Sequence, residues 1–407
     1  MSKFVLSILR YRFRKSACFS PPSPGAYAFT PVTRDYSIHG WRVKGLRFKV
    51  QPSFDKASEG KSSRFPVMFG TGIILILFML TGCESLVVKP AGQDSHLEDF
   101  EAAWNRINDV YPFLEFKGID WDSIYAVYRT RVEAAQGDEF YLVFHDFLAE
   151  LKDGHTWYRT DGGGKIYPFY PDRHFKDRHG YNPFVVRSYF NTELIVTESR
   201  VAEYGILPGN IGYLFISGFH EDYLINEFAG ILDYLKDTDG LIIDIRQKRG
   251  GSYQNVEAVV TRFMTEPLER PKLYFLGEFI DIPPFQPSGP YQYTEPVVIL
   301  INGSTFSAGE LTTEIMKQLP QVTAIGDTTG GGGAASSDDR PERKGAFKLP
   351  GGKYIYIGTG YFERYDGELF EWNGVPPDIR VEQTGEHAAK GIDRQLETAI
   401  GWIKAQK

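Results

Sequence analysis

The sequence predicts an α/β core preceded by a small N-terminal helical unit. Apolar residues first recur at helical spacing, as in Phe100, Trp104, Ile107, Val110 and Tyr111, then in Trp121, Ile124, Tyr125 and Tyr128, and again from Phe140 to Leu151. After Asp153-Gly154 the pattern changes to short β-rich apolar runs bounded by Gly and Pro: Leu194 to Val196, Ile211 to Ile216, Leu241 to Ile245, Val297 to Ile301 and Tyr354 to Ile357. Helical stretches at Tyr223 to Leu235, Gln254 to Met264 and Ala308 to Leu319 lie between those runs, the alternation expected of an α/β core.

The helical unit is assigned to 96–157, with Gly154 as the stop signal after its third helix, and the core to 158–407. A chain of 407 residues is long enough for two such domains. Its net charge of −7 is unevenly spread. Residues 1–67 carry 13 Lys+Arg against 3 Asp+Glu, leaving 32 against 49 for the rest. An acidic body of that kind lacks the basic face that phosphate backbones require, so nucleic-acid binding is not expected. Cys18 and Cys83 are the only cysteines, too few for a disulfide framework, and no disulfide is predicted.

The N-terminal segment reads as an address. Residues 1–63 are basic, rich in Arg, Ser, Pro and aromatics, without helical or strand period, and are expected to be a disordered extension; Met68 offers a later start. Val67 to Leu80 is an uninterrupted apolar run, shorter than the roughly 20 residues a spanning helix needs. The Leu80-Thr81-Gly82-Cys83 that follows resembles the lipobox of bacterial lipoproteins. That resemblance implies a signal peptide at 64–82, lipidation of Cys83, a tether at 83–95 and a lipid anchor in the cell envelope. An uncleaved membrane anchor and a buried core helix are the alternatives.

The segment Pro296-Val-Val-Ile-Leu-Ile-Asn-Gly-Ser-Thr-Phe-Ser-Ala-Gly-Glu310 carries the most chemistry. A buried strand turns tightly into an amphipathic helix and leaves Ser307 at the helix N-terminus. Free N–H groups and the helix dipole there stabilise negative charge developing on a carbonyl oxygen. Ser307 or Ser304 could equally serve as a plain N-cap. A second strand, Leu241-Ile-Ile-Asp-Ile-Arg-Gln-Lys-Arg-Gly-Gly251, ends in paired glycines. The N–H of Gly250 or Gly251, with that of Ala308, would make a two-donor oxyanion hole. Leu151-Lys-Asp-Gly-His-Thr156 supplies His155, the residue type that removes a serine proton near neutral pH, although a single His is more often structural.

Together these segments resemble the tail-specific, or C-terminal processing, serine peptidase superfamily. The likeness covers nearly all of the chain after Cys83 and rests on four segments in the superfamily's order: Asp-Gly-His-Thr, Ile-Gly-Tyr-Leu at 211–214, Asp-Ile-Arg with Gly-Gly, and Ser-Thr-Phe-Ser-Ala-Gly-Glu. It implies a crotonase-like core and a serine endopeptidase acting on unfolded proteins or peptides. Typical members pair the serine with a Lys in a Gly-Lys-Gly turn, but here Gly332 of Gly326 to Gly333 stands at that position. The resemblance is therefore to the tricorn-core branch, in which a His is the base and a Glu belongs to its relay. The matching positions are His155 and, in Glu371-Trp-Asn-Gly-Val-Pro-Pro-Asp378, Glu371. Gly154 replaces the Ser that bridges His and Glu in that branch, so Glu371 is expected to reach the imidazole directly or through water.

About fifty residues separate His155 from Ile211, near the bottom of the size range for an inserted PDZ domain. Tyr158 to Asn182 instead reads as a long loop at the mouth of the site, and residues 100–180 are expected to restrict access to unfolded chains. The eight His are scattered without metal-type spacing, and Gly330 to Gly333 is not followed by the Lys-Ser/Thr of a phosphate loop. No metal and no cofactor are expected. The rival functions are a non-catalytic ligand- or peptide-binding lipoprotein on the same fold and a crotonase-type acyl-thioester enzyme.

Overall fold

The computed structural model describes residues 93–160, 163–173, 180–220, 223–247 and 250–407. The basic extension, the apolar run and Cys83 lie outside them. No helix among the described residues is long and apolar enough to cross a membrane.

A seven-stranded sheet forms the core. Its order from one edge is Ile379–Arg380, Val322–Gly326, Val297–Ile301, Leu241–Asp244, Ile211–Ile216, Ala202–Leu207 and Ile195–Val196. The first five strands are parallel and the last two antiparallel. Val297–Ile301 and Leu241–Asp244 are buried at every residue because the parallel part is covered on both faces, which is why they read as continuous apolar runs. On one face Ile243 and Ile299 pack with the helices Tyr223–Leu235, Tyr253–Val260 and Ala308–Met316. On the other, Ile242 and Val298 pack with Leu396, Ala399 and Ile403 of the C-terminal helix Arg394–Ala405.

The helices Gln93–Val110, Trp121–Ala134 and Glu139–Ala149 form the N-terminal unit. Asp120 caps the second through Ser123 N–H at 3.0 Å. The unit does not close upon itself. Phe100, Phe113 and Phe147 share one hydrophobic cluster with Leu349, Ile355 and Ile357 of the later chain. The expected boundary at 157/158 also falls inside the strand Trp157–Arg159, which pairs antiparallel with Tyr354–Tyr356. Residues flanking His155 are thereby built into the core. A four-stranded sheet of Ala334–Ala335, Gly360–Glu363, Lys272–Phe275 and Glu278–Ile280 completes the walls of the site.

Beyond the Leu241–Asp244 strand stands a buried charge network. Arg246, fully buried, pairs with Asp244 at 2.7 Å and with Asp393 at 2.9 Å, and donates to Gln395 at 3.0 Å. Asp393 also caps the C-terminal helix through Leu396 N–H. The Asp-Ile-Arg segment therefore anchors the approach to Gly250-Gly251 on the far face of the sheet. Arg246→Ala would leave two buried carboxylates unpaired, and urea unfolding is expected to show a loss of about 3–5 kcal/mol.

Candidate active site

The turn from the Val297–Ile301 strand into the Ala308–Met316 helix is held by its own side chains. Asn302 accepts from Ser304 N–H at 3.0 Å, while Thr305 bonds Asn302 N–H and the Ile245 carbonyl, both at 3.1 Å. Ser304 is buried inside this turn. Ser307 takes φ 56° and ψ −118° at the N-cap, a conformation that L-residues rarely adopt and that persists only where its surroundings impose it. Its N–H donates to Glu310 Oε2 at 2.9 Å, and its carbonyl accepts the Glu310 N–H at 2.8 Å. The Ala308 N–H, one turn too early to have an intrahelical acceptor, has no backbone partner among the described residues.

Gly250 and Gly251 lie beside this serine. A Cβ on Gly250, at φ 98°, would come within 2.8 Å of Ser307 Cβ, so glycine allows the two segments to touch. Gly251 forms a parallel bridge with Phe219, in which Phe219 N–H donates to Gly250 O at 3.3 Å and Ser252 N–H to Phe219 O at 2.6 Å. In that pattern the bridged residue's own N–H points away from its partner. The Gly251 N–H thus faces the side on which Ser307 stands, and both residues line a cavity of about 520 Å3 together with His155 and Ala308.

Both ring nitrogens of His155 are buried without a hydrogen-bond partner, and Nδ1 stands 3.6 Å from Asp153 Oδ1. The same carboxylate oxygen accepts the His155 N–H at 2.7 Å. Burial opposes a charge on the imidazole, but Asp153, then Glu371 and Glu310, outweigh it and lift His155 above its ordinary 6.5. Asp153 is the carboxylate beside the imidazole, and Glu371 brings an oxygen within 4.8 Å of a ring nitrogen, a separation that fits the contact through water expected from the sequence.

Glu371 instead pairs with Lys117 at 2.6 Å and accepts the Gly333 N–H at 3.1 Å. Burial and the neighbouring Asp153 charge push its carboxyl up to about 7. Asp153, Glu371 and His155 each offer a ligand-type atom within 4.8 Å of the others. The Lys117 ammonium already supplies the positive charge at this spot, so the cluster reads as a proton and charge relay. Lys117, Asp153 and Glu310 were not assigned roles from sequence. Asp153 stands two residues before His155 and was visible there; nothing local to Lys117 singles it out.

The glycine run explains the missing lysine. Glu310, fully buried, accepts from Thr329 Oγ1 at 2.6 Å and from the Gly331 and Gly332 N–H groups at 2.7 Å each. The loop is thus strapped to the nucleophile turn, and Phe306 fills the space beside it. A Cβ on Gly332 would lie 2.1 Å from the Phe306 ring, and one on Gly154 would lie 2.8 Å from it. The same ring stacks obliquely on His155, with centroids 4.6 Å apart. One aromatic side chain therefore occupies the space that a side chain at 332 or at 154 would enter.

The sequence profile of peptidase family S41 matches residues 210–381, and that of the tricorn protease C1 domain matches residues 93–149. The carboxy-terminal processing protease CtpB of Bacillus subtilis is 25% identical over 176 residues, which are 43% of this chain and 34% of CtpB. The chain thus spans about a third of that relative's length. A crystal structure of a candidate peptidase from Parabacteroides merdae superposes with TM-score 0.64 at 27% identity, covering 76% of this chain and 96% of that one. Tricorn protease shares the fold with TM-score 0.52 at 16% identity, over 77% of this chain and 37% of tricorn. Over these residues the chain is similar to the tail-specific, C-terminal processing superfamily of serine-type peptidases.

If Phe306 and Gly332 exclude one another, Gly332→Ala should cost about 1–3 kcal/mol by overpacking. In a Phe306→Ala background most of that cost should vanish, which a double-mutant cycle in urea measures; additive losses would show that the ring does not set this limit.

Proposed function

We propose that the protein is a serine endopeptidase in which Ser307 is the nucleophile and His155 the general base. The carrying observation is the conjunction of a serine held at positive φ with a buried imidazole on the same cavity. His155 takes the Ser307 proton while Asp153 favours the tautomer with hydrogen on Nδ1 and stabilises the imidazolium that forms. The serine oxygen attacks a peptide carbonyl, whose developing oxyanion receives the Gly251 and Ala308 N–H groups. His155 then passes the proton to the leaving nitrogen, and water repeats the sequence on the acyl-enzyme. Glu371 acts on the imidazole from behind Asp153.

The larger cavity extends from Ser307 between Val256, Leu273, Phe275, Leu311, Phe362 and Phe370, which suits an apolar side chain on the acyl side of the cleaved bond. A second cavity of about 280 Å3, walled by Trp157, Tyr167, Tyr170 and Phe306, opens from the same His155 and Ser307. A peptide lying across both would place its carbonyl at the serine. Lipidation at Cys83 would hold this activity in the cell envelope, where unfolded proteins or peptides are the substrates. The lipobox-like Leu80-Thr81-Gly82-Cys83 supports that location.

Intact mass measurement after fluorophosphonate treatment tests the nucleophile. One adduct is expected on the unmodified protein and none on Ser307→Ala; an unlabelled native protein would favour the non-catalytic binder. His155→Ala is expected to lower peptide hydrolysis by about 10²–10⁴-fold. Because the base must be neutral and its pKa is raised, activity should be full at alkaline pH and fall as the pH drops through a value above 6.5. A kcat/KM profile without an acid limb in the range where an imidazole titrates would remove His155 from that role.

A further inference from the structure

Lys117 lies in the turn after the first helix of the N-terminal unit, with its side chain fully buried. An ammonium in such a place is tolerated only where oxygens replace its water. Four do so: Glu371 Oε1 at 2.6 Å, the Tyr111 hydroxyl and the Leu151 carbonyl at 2.9 Å each, and the Lys152 carbonyl at 3.2 Å. The rings of Tyr111, Phe113 and Trp372 surround it at 5.3 to 5.5 Å. The Tyr111 hydroxyl, receiving from Lys117, donates to Asp153 Oδ2 at 2.8 Å. One cation is thereby linked to both carboxylates behind the imidazole, directly to Glu371 and through Tyr111 to Asp153. Lys117 lines neither cavity.

We infer that Lys117 is a positioning residue for the base. Its ammonium fixes Glu371 and, through Tyr111, Asp153, so that the His155 ring is held with Nδ1 toward Asp153 and Nε2 toward Ser307. This rests on the reading of His155 as the base. The charged and titratable groups around the imidazole are Asp153, Glu371 and Glu310, with Lys117, Tyr111 and Tyr356 next to them and Lys165 at the rim of the aromatic cavity. Among them Lys117 is the buried cation that balances the carboxylates. Without it two carboxylates face one imidazole, which then keeps its proton and loses its fixed orientation. The helical unit is on this account a working part of the active site, since it supplies Tyr111 and Lys117.

The test compares the full chain with Lys117→Met, Lys117→Met/Glu371→Gln and His155→Ala, reading fluorophosphonate labelling rate and peptide hydrolysis from pH 5 to 9. Lys117→Met is expected to lower kcat at neutral pH by about tenfold or more, to leave KM within about twofold, and to move the acid limb upward by about one pH unit. The double variant, which removes one positive and one negative charge together, is expected to move the limb back toward its native position. A folded Lys117→Met protein with native kcat and native limb overturns the inference. So does a double variant whose limb is no nearer the native one than that of Lys117→Met. If Lys117→Met does not fold, the double variant decides: a limb near the native position supports the inference and a displaced limb overturns it. If His155→Ala labels and hydrolyses like the native protein, the base assignment itself has failed. If only the Lys117 variants behave as native, the failure belongs to this inference alone.

Discussion

The constraint on which the site depends is the buried carboxylate of Glu310. Four donors converge on it: the Ser307 N–H, the Gly331 and Gly332 N–H groups and the Thr329 hydroxyl. A buried carboxylate without such partners would cost several kcal/mol, and burial does raise its pKa here. With them it becomes the tie between the nucleophile turn and the glycine loop. Thr329 carries the tie onward, because its hydroxyl also accepts the Val375 N–H at 2.6 Å. The segment that contains Glu371 is thus fixed to the same point as the serine.

That tie defines one wall, and the charge relay defines the other. Asp153 stays ionised against its burial because Lys117 and His155 oppose that cost, holding it well below the usual carboxylate range. Glu371 is pushed the opposite way by burial and by Asp153. Two carboxylates within a few ångströms with pKa values driven apart are a recurrent feature of acid–base sites. Phe306 stands between the two walls, stacked on His155 and pressed against the loop. A Cβ at 154 or at 332 would press on this one ring, so glycine at both positions relieves the same contact.

The elements with strong periodicity were legible in the sequence. The fully buried strands at 241 and 297 read as apolar runs, and the helices at 223 and 308 start where their patterns start. The strand Ala202–Leu207, the edge strand Ile379–Arg380 and the two-residue strand at 334 did not read as strands, because their pairing is set by neighbours rather than by alternation. The C-terminal helix was passed over although Leu396, Ala399 and Ile403 fall on one face. The helical unit read as a separate domain because its own apolar stripes are regular; that they close over Ile355 and Ile357 is a long-range fact.

Ser307, the glycine pair, His155 and the order of the segments were present in the sequence because each depends on a few adjacent residues. A strand, a turn and a helix start are local structures, and the chemistry of a helix N-terminus comes with them. Which carboxylate serves which partner was decided only in three dimensions. Glu371 was assigned to the imidazole by its place in a segment, yet it meets a lysine 254 positions earlier, while Asp153, two residues from the imidazole, stands beside it. Electrostatic energies follow distance through space and burial, and neither is written in the spacing of residues along the chain.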